Sequence, residues 1–278
     1  MQYGFRHKGV LLMDGQKGPQ YLNWISYRAV GTGAIITLAL LFAARFTVKQ
    51  SHLTAALLLI AMAIALVITF VMARARTALS YTGGGVQRMV LEDIISRLKK
   101  SGWSGRGKVI DIGCGSGAMP IMLAKKYPHV RAVGVDTWQK GEYSQALCEH
   151  NAELEGAKAR TEFRKGDAKS LPYMDGVFDA AVSNLVFSEV KQSDKTALMR
   201  EALRVVKPGG YFAFCDTFYD EKKFGPVEAL KDTLKDYAYG IHFVDMRNPD
   251  YAPGFLKKYY KIGKMGIIYG RKKENNDD

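Results

Sequence analysis

Lys108-Val-Ile-Asp-Ile-Gly-Cys-Gly-Ser-Gly117 is the stretch on which the fold of this chain turns. Lys108 to Ile112 is a short apolar strand, and Gly113-Cys-Gly-Ser-Gly117 leads into a helical stretch that runs to about Lys126. The strand delivers an acid, Asp111, and the glycines then let the backbone approach a ligand where any Cβ would collide. Asp136 follows 21 residues after Gly115, closing the strand Val130 to Val135. From that position a carboxylate can take ribose hydroxyls. Strand, glycine loop and second acid together point to a nucleoside ligand rather than a structural turn.

Outward from this core the same alternation continues. A helix over Gln145 to Leu154 precedes a third strand, Thr161 to Arg164, which leads into Gly166-Asp-Ala168. Phe178 to Ser183 is a fourth strand; a helix over Ala197 to Val206 is closed by Lys207-Pro-Gly-Gly210; Tyr211 to Cys215 is a fifth strand. Ile241 to Val244 and Gly266 to Tyr269 form an antiparallel pair at the end. Upstream, after Gly83-Gly-Gly85, Val86, Met89, Val90, Ile94 and Leu98 recur at helical spacing. Strands alternating with helices at this spacing make an α/β, doubly wound, Rossmann-like parallel sheet.

Gly113, Gly115 and Ala118 also satisfy the G-x-G-x-x-A form of a dinucleotide fingerprint. Asp111 argues against it, because a carboxylate just before the glycines suits an ammonium and repels a pyrophosphate. Cys114 sits inside the loop with no histidine near it in sequence, so it fills a tight turn and is not a nucleophile.

These motifs, in this order, resemble those of class I S-adenosylmethionine-dependent methyltransferases, in particular the small-molecule branch that includes the ubiquinone/menaquinone C-methyltransferases. The resemblance covers about residues 84 to 216. It rests on Asp111-Ile-Gly-Cys-Gly-Ser-Gly117, Val133-Gly-Val-Asp136, Gly166-Asp-Ala168 with Leu171-Pro172, Phe178-Asp179, and Leu203-Arg-Val-Val-Lys-Pro-Gly-Gly210. It implies a seven-stranded sheet and S-adenosylmethionine as cofactor. Asp111 and the Gly113 carbonyl would then hold the methionine ammonium, with Cys114, Gly115 and Gly117 completing the loop. Asp136, followed by Thr137, would take the ribose hydroxyls, Asp167 the adenine amino group with Ala168 beside the ring, and Asn184 the methionine end. Ordinary alternatives are an Asx-turn for Asp167 and a helix cap for Asn184. Many relatives carry a histidine shortly after the fourth strand; here the sequence reads Asn184-Leu-Val-Phe-Ser-Glu189. Glu189, Asp216, Tyr219 and Tyr173 are the remaining candidates for acceptor contacts, each equally explicable as surface or packing.

A second domain precedes this one. Leu53 to Ala73 holds 21 residues without a charge, about 32 Å of helix, enough for a hydrocarbon core of about 30 Å. Ala29 to Ala44 adds 16 more uncharged residues, flanked by Arg28 and Arg45, with Trp24 and Tyr27 at the level of an interfacial belt. A transmembrane hairpin over 29–73 follows, with its turn at Arg45 to His52; the alternative leaves the first helix in the interface. Arg6, Lys8, Lys17 and Arg28 before it, and Arg74 and Arg76 after it, outnumber Arg45 and Lys49 in the turn. Both ends, and the catalytic domain, therefore face the cytoplasm. The resulting order is an interfacial segment 1–28, the hairpin 29–73, a linker and helix 74–107, a methyltransferase domain 108–273 and a disordered tail 274–278. The three cysteines form no C-x-x-C pair and no zinc-type cluster with the five histidines, which fits a reducing compartment and no metal.

The hairpin would concentrate the enzyme where a lipophilic acceptor resides. A net charge of +13 raises the alternative of an RNA or protein methyltransferase. Ser183-Asn-Leu-Val186 lacks the prolines of base-amino methylation, and no RNA-binding module is appended. A cofactor-binding scaffold without catalysis is the third reading, opposed by the intact acids Asp111, Asp136 and Asp167.

Overall fold

The computed structural model describes residues 18–21, 23, 25–82, 85–139, 143–192, 194–259 and 261–274. Arg6, Lys8, Lys17, Trp24, Gly83, Gly84 and the tail beyond Glu274 lie outside these residues. The chain divides into two units, Leu22–Arg88 and a unit that combines the preceding segment with the chain from Met89 onward. The described residues Gly18–Tyr21 thus group with the chain from Met89 onward.

In the hairpin unit, α1 is Tyr27–Thr47 and α2 is His52–Ala78. Ser26 caps α1 by accepting from the Ala29 amide at 3.1 Å, and Ser51 caps α2 by accepting from Thr54 at 3.3 Å. Only residues 48–51 separate the helices, so they run antiparallel. The turn is shorter than the charges suggest because Arg45 stays helical, where a cation complements the C-terminal dipole. At Gly33 the helices come so close that an added Cβ would meet the Thr69 hydroxyl at 2.5 Å. α2 also runs past Ala73 through two arginines. Asn23 donates to the Arg76 carbonyl at 2.6 Å, the Arg76 guanidinium donates to the Ile25 carbonyl, and it lies 4.1 Å from the centre of the Tyr27 ring. Arg76 thus ties the two open ends of the hairpin together. Both helices are long and apolar enough to cross a membrane, and large side chains such as Leu38, Phe42, Val67 and Phe70 are exposed.

In the sheet unit, helix α3 (Val86–Lys100, shared with the hairpin unit) leads to β1 (Gly107–Ile112), α4 (Ala118–Lys126), β2 (Val130–Asp136), α5 (Gln145–Leu154) and β3 (Thr161–Lys165). Then come β4 (Phe178–Asn184), α6 (Lys195–Arg204), β5 (Val206–Asp216), α7 (Glu221–Phe224), α8 (Val227–Leu234), β6 (Ala238–Asp245), α9 (Gly254–Tyr259) and β7 (Gly266–Lys272). The seven strands form one sheet in the order β3-β2-β1-β4-β5-β7-β6, parallel except for β7, which runs antiparallel to both its neighbours. β1 lies where the strand order reverses, and the crevice outside its C-terminal end is where such sheets bind ligands.

Two boundaries differ from the sequence pattern. α6 starts at Lys195 because Asp194 caps it, accepting from the Ala197 amide at 3.1 Å. β5 begins at Val206, which pairs with Phe178, and Lys207-Pro-Gly-Gly210 is an irregularity inside the strand rather than a helix stop. Gly209, at φ +70°, supplies the turn a β-strand residue cannot make.

The register assigns each side chain to a face, since neighbours in register point the same way and alternate residues point oppositely. Ile110, Ile112, Val133, Val135, Phe212, Phe214 and Ile268 pack with α6 and α8 on one face. Asp111, in register with Val182, therefore shares the other face with Asn184 and its partner Cys215.

Candidate active site

Asp111 ends β1 with only 3% of its surface exposed. Burial first, then the charge of Asp136, pushes its carboxyl well above the usual range. No donor among the described residues lies on it. A buried carboxylate without a partner is costly unless a cation or a proton comes to it. The site as it stands is built for a positive ligand group.

Three loop glycines take left-handed backbone: Gly113 at φ +74°, Gly115 at +54° and Gly117 at +81°. Gly113 lies under the loop that follows β4, where an added Cβ would fall 2.1 Å from a Val186 methyl. Gly117 starts α4, and there a Cβ would press on Phe163 at 3.0 Å. Cys114 is buried against Gly134, and burial, then its contact with Cys148, holds its thiol protonated. It is a packing residue, as its place in the turn suggests.

Asp136 is half-buried and stitches the loop to its own strand end. One oxygen accepts from the Gly115 amide at 3.0 Å and the other from the Trp138 amide at 2.8 Å. Each carboxylate oxygen has a second lone pair, so a vicinal diol can still be accepted. Trp138 was not legible as a site residue. Its φ of +45° turns the indole back over the loop, where Nε1 donates to the Gly115 carbonyl at 2.9 Å. An aromatic residue two positions after the acid is the only signal for it. Thr137 lies beside Asp136, with its hydroxyl 3.5 Å from the Gln139 amide.

Asp167 is exposed and accepts from the Lys169 amide at 3.0 Å, an Asx-turn, while the preceding Gly166 amide donates to the Asp136 carbonyl at 3.0 Å. The turn thus brings Asp167 beside Asp136. Ala168 is 8% exposed and packs in the core with Val133 and Val135. Asn184 ends β4, and its buried Oδ1 has no partner among the described residues. Leu185 follows at φ +57°, rare for a branched residue, its amide held at 2.8 Å by the Cys215 carbonyl.

The four acceptor candidates fare differently. Tyr173 packs edge-on against Phe178, the first residue of β4, and its buried hydroxyl has no partner among the described residues. Asp216 faces away from Asn184 by strand alternation. It is fully buried and accepts from the Ser188 amide at 3.1 Å and the Thr217 amide at 2.7 Å, holding the loop after β4. Glu189 is exposed and pairs with Lys261 at 2.6 Å; Tyr219 lies under the Arg247 guanidinium at 3.8 Å. A cavity of about 290 Å³ lined by Trp103, Arg106, Lys207 and Tyr211 opens at the opposite ends of the strands and contains none of these groups. Its acid, Asp179, is already taken by the Lys108 amide and the Lys207 ammonium.

Residues 110–214 match the family model described as a methyltransferase domain. A malonyl-[acyl-carrier protein] O-methyltransferase of Geobacter sulfurreducens is 35% identical over 173 residues, 62% of this chain and 58% of that one. A ubiquinone/menaquinone biosynthesis C-methyltransferase of Desulfotalea psychrophila is 29% identical over 118 residues, 42% of this chain and 44% of the relative. The chain thus spans less than two thirds of the length of these curated relatives. Among solved structures, a [4+2]-cyclase superposes with a TM-score of 0.52 at 21% identity, over 68% of this chain and 82% of the cyclase. That likeness shows the fold; the cyclase is itself a reminder that fold does not assign chemistry. Residues 110–214, which carry most of strands β1 to β5 of the Rossmann-like seven-stranded sheet, thus match a methyltransferase domain.

Proposed function

We propose that the chain is a membrane-anchored methyltransferase that takes a methyl group from S-adenosylmethionine and places it on a lipophilic small molecule or lipid. The observation that carries the cofactor assignment is Asp111, a buried carboxylate with no donor on it among the described residues, beside a loop of three glycines in left-handed backbone. That donor set fits a ligand with an ammonium at one end and a diol near the other. Asp111 would take the ammonium and Asp136 the diol, with Asp167 toward the base and Asn184, through its unpartnered Oδ1, toward the methionine end.

When bound, the cofactor supplies an already electrophilic methyl group, so alignment and exclusion of water are the main tasks left to the protein. The chain's own residues serve these. Val186 covers Gly113, and Asp216 holds the Val186-to-Val190 turn in place from the opposite face. Trp138 fixes the loop carbonyl from above.

The acceptor class is supported by the hairpin. Two helices of 21 and 27 residues with outward-facing apolar side chains span about 32 and 40 Å and suit a lipid solvent better than water. The hairpin would tether the chain to a bilayer, and the basic flanks Arg28, Arg74 and Arg76 favour the cytoplasmic side for its ends. The test uses full-length protein in detergent, methyl-labelled cofactor and a total lipid extract of the expressing cells. Label that partitions into organic solvent is expected. Label found only in aqueous, RNA or protein fractions overturns the lipophilic acceptor and leaves the hairpin a simple tether.

A further inference from the structure

The loop after β4 carries no histidine; Glu189, Asp216 and Tyr219 are engaged elsewhere, and Tyr173 packs against the first residue of β4. Another candidate for a proton acceptor lies on a pair of elements that the sequence does not single out. β6 ends at Asp245 and β7 begins at Gly266, paired with each other and with Asp216. The connection between them, residues 246–265, therefore leaves and re-enters the sheet at the edge where Asp111, Asp136 and Asn184 end. Within it, the Tyr251 hydroxyl donates to Asp93 Oδ2 on α3 at 2.8 Å.

Asp93 lies back along α3 from the point where the chain just past that helix meets β5. Gly102, just past α3, lies against Tyr211 of β5, where an added Cβ would come 3.4 Å from the ring. Back along α3 to Asp93, and up β5 to Cys215, are both rises of roughly 10–13 Å. Cys215 of β5 lies within reach of the Asp93 charge. Burial first, then the charges of Asp216 and Asp93, hold its thiol up, and Cys215 is the register partner of Asn184 on the same face. Tyr251 in turn is pushed well above the usual tyrosine range by burial, then by Asp93 and Cys215, with Arg97 opposing. The charged and titratable groups facing the pair are therefore Arg97 from α3 and Cys215 from β5. Tyr251 stays a neutral phenol, able to accept a proton only as it passes its own to Asp93.

We infer that Tyr251 and Asp93 form the acid–base relay of the acceptor side, and that the acceptor is a protic nucleophile, an O–H or N–H group, on the lipophilic molecule. The inference rests on the methyltransferase reading of the site. As the acceptor's oxygen or nitrogen bonds to the methyl carbon, the carbon–sulfur bond breaks with its electron pair left on sulfur. The acceptor's proton moves to the Tyr251 oxygen, the phenolic proton moves to Asp93, and Asp93 later returns it to water.

A bond between Tyr251 and Asp93 could serve only to pin the connection to α3, and Asp93→Asn separates the roles. The amide oxygen still accepts from Tyr251, so a pinning role predicts unchanged transfer. A relay predicts about a hundredfold lower kcat, the low end for lost general-base catalysis, with cofactor Kd and Tm unchanged. Tyr251→Phe should lower kcat similarly, and Asp93→Glu should recover part of it. The assay is label transfer into the total lipid extract, with cofactor binding measured separately by calorimetry. A wild-type chain that binds no S-adenosylmethionine overturns the reading of the site itself. Cofactor binding and transfer that proceed undiminished in Asp93→Asn overturn the relay alone. Should Asp93→Asn fail to fold, undiminished transfer by Tyr251→Phe overturns the relay in its place.

Discussion

Replacing Asp136 by alanine tests the cofactor site at the residue where structure and ligand compete for the same carboxylate. In the free protein both oxygens are engaged, by the Gly115 amide at 3.0 Å and the Trp138 amide at 2.8 Å. Removing an ionised acceptor costs about 1.5–3 kcal/mol per bond when the donor is left dry. Asp136 is half-buried, so water can replace part of this and about 1–3 kcal/mol is expected in all. At about 2–4 °C per kcal/mol for a domain of this size, Tm should fall by several degrees without unfolding the chain. Binding should suffer more. Two hydroxyl-to-carboxylate bonds at about 1.5 kcal/mol each amount to about 3 kcal/mol, or a hundredfold in Kd. Asp136→Asn keeps one acceptor oxygen and should fall between. The assay is calorimetric titration of S-adenosylhomocysteine into detergent-solubilised protein, with Tm read in parallel. A folded Asp136→Ala protein whose Kd stays within about threefold of wild type refutes the assignment of the loop.

Asp111, whose carboxyl is raised by burial and by Asp136, should make the free protein less stable as pH rises from the ordinary carboxylate range through its raised value, because ionisation costs the folded chain more than the unfolded one. Asp111→Asn should therefore raise the neutral-pH Tm, by less as pH is lowered, while abolishing cofactor binding; a lower Tm at neutral pH would contradict the account. Gly113→Ala combines a left-handed residue, costing about 1–2 kcal/mol, with a clash at 2.1 Å on Val186. Calorimetry should show binding lost in the single variant and partly regained with Val186→Ala, whereas additive losses would remove Val186 from the loop's roof. Asp216→Asn should lower Tm, since a buried amide cannot accept from both Ser188 and Thr217, at about 1–3 kcal/mol. Its kcat at a temperature where it is folded should match wild type, and a large kcat loss would mean Asp216 reaches the acceptor.

The strands of the sheet were legible because each is short, apolar and closed by a residue with one local meaning. Asp111 and Asp136 at strand ends, glycines at φ above zero, and the Gln145-to-Leu154 helix all declare themselves within a few residues. The hairpin was legible for the same reason, with charges marking its ends. Arg74 and Arg76 misled, since a charge reads as an exit to water, yet Arg76 binds the Ile25 carbonyl and stays helical. What was not legible depends on distant partners. Trp138 gains its role from a backbone turn at φ +45°, and the hydrogen bond between Tyr251 and Asp93 joins residues 158 positions apart. Asp216 and Asn184 look equivalent as residues at strand ends; the register sends one to each face of the sheet.

The most direct test of the central claim, that the glycine loop and its acids hold S-adenosylmethionine, is to irradiate the full chain with methyl-labelled cofactor and map the cross-linked peptide. The account predicts label within residues 109–138 or on the turn after Asn184, displaced by excess S-adenosylhomocysteine and absent in Asp136→Ala. Label that survives in Asp136→Ala, or that maps to the cavity lined by Trp103, Lys207 and Tyr211, would contradict it.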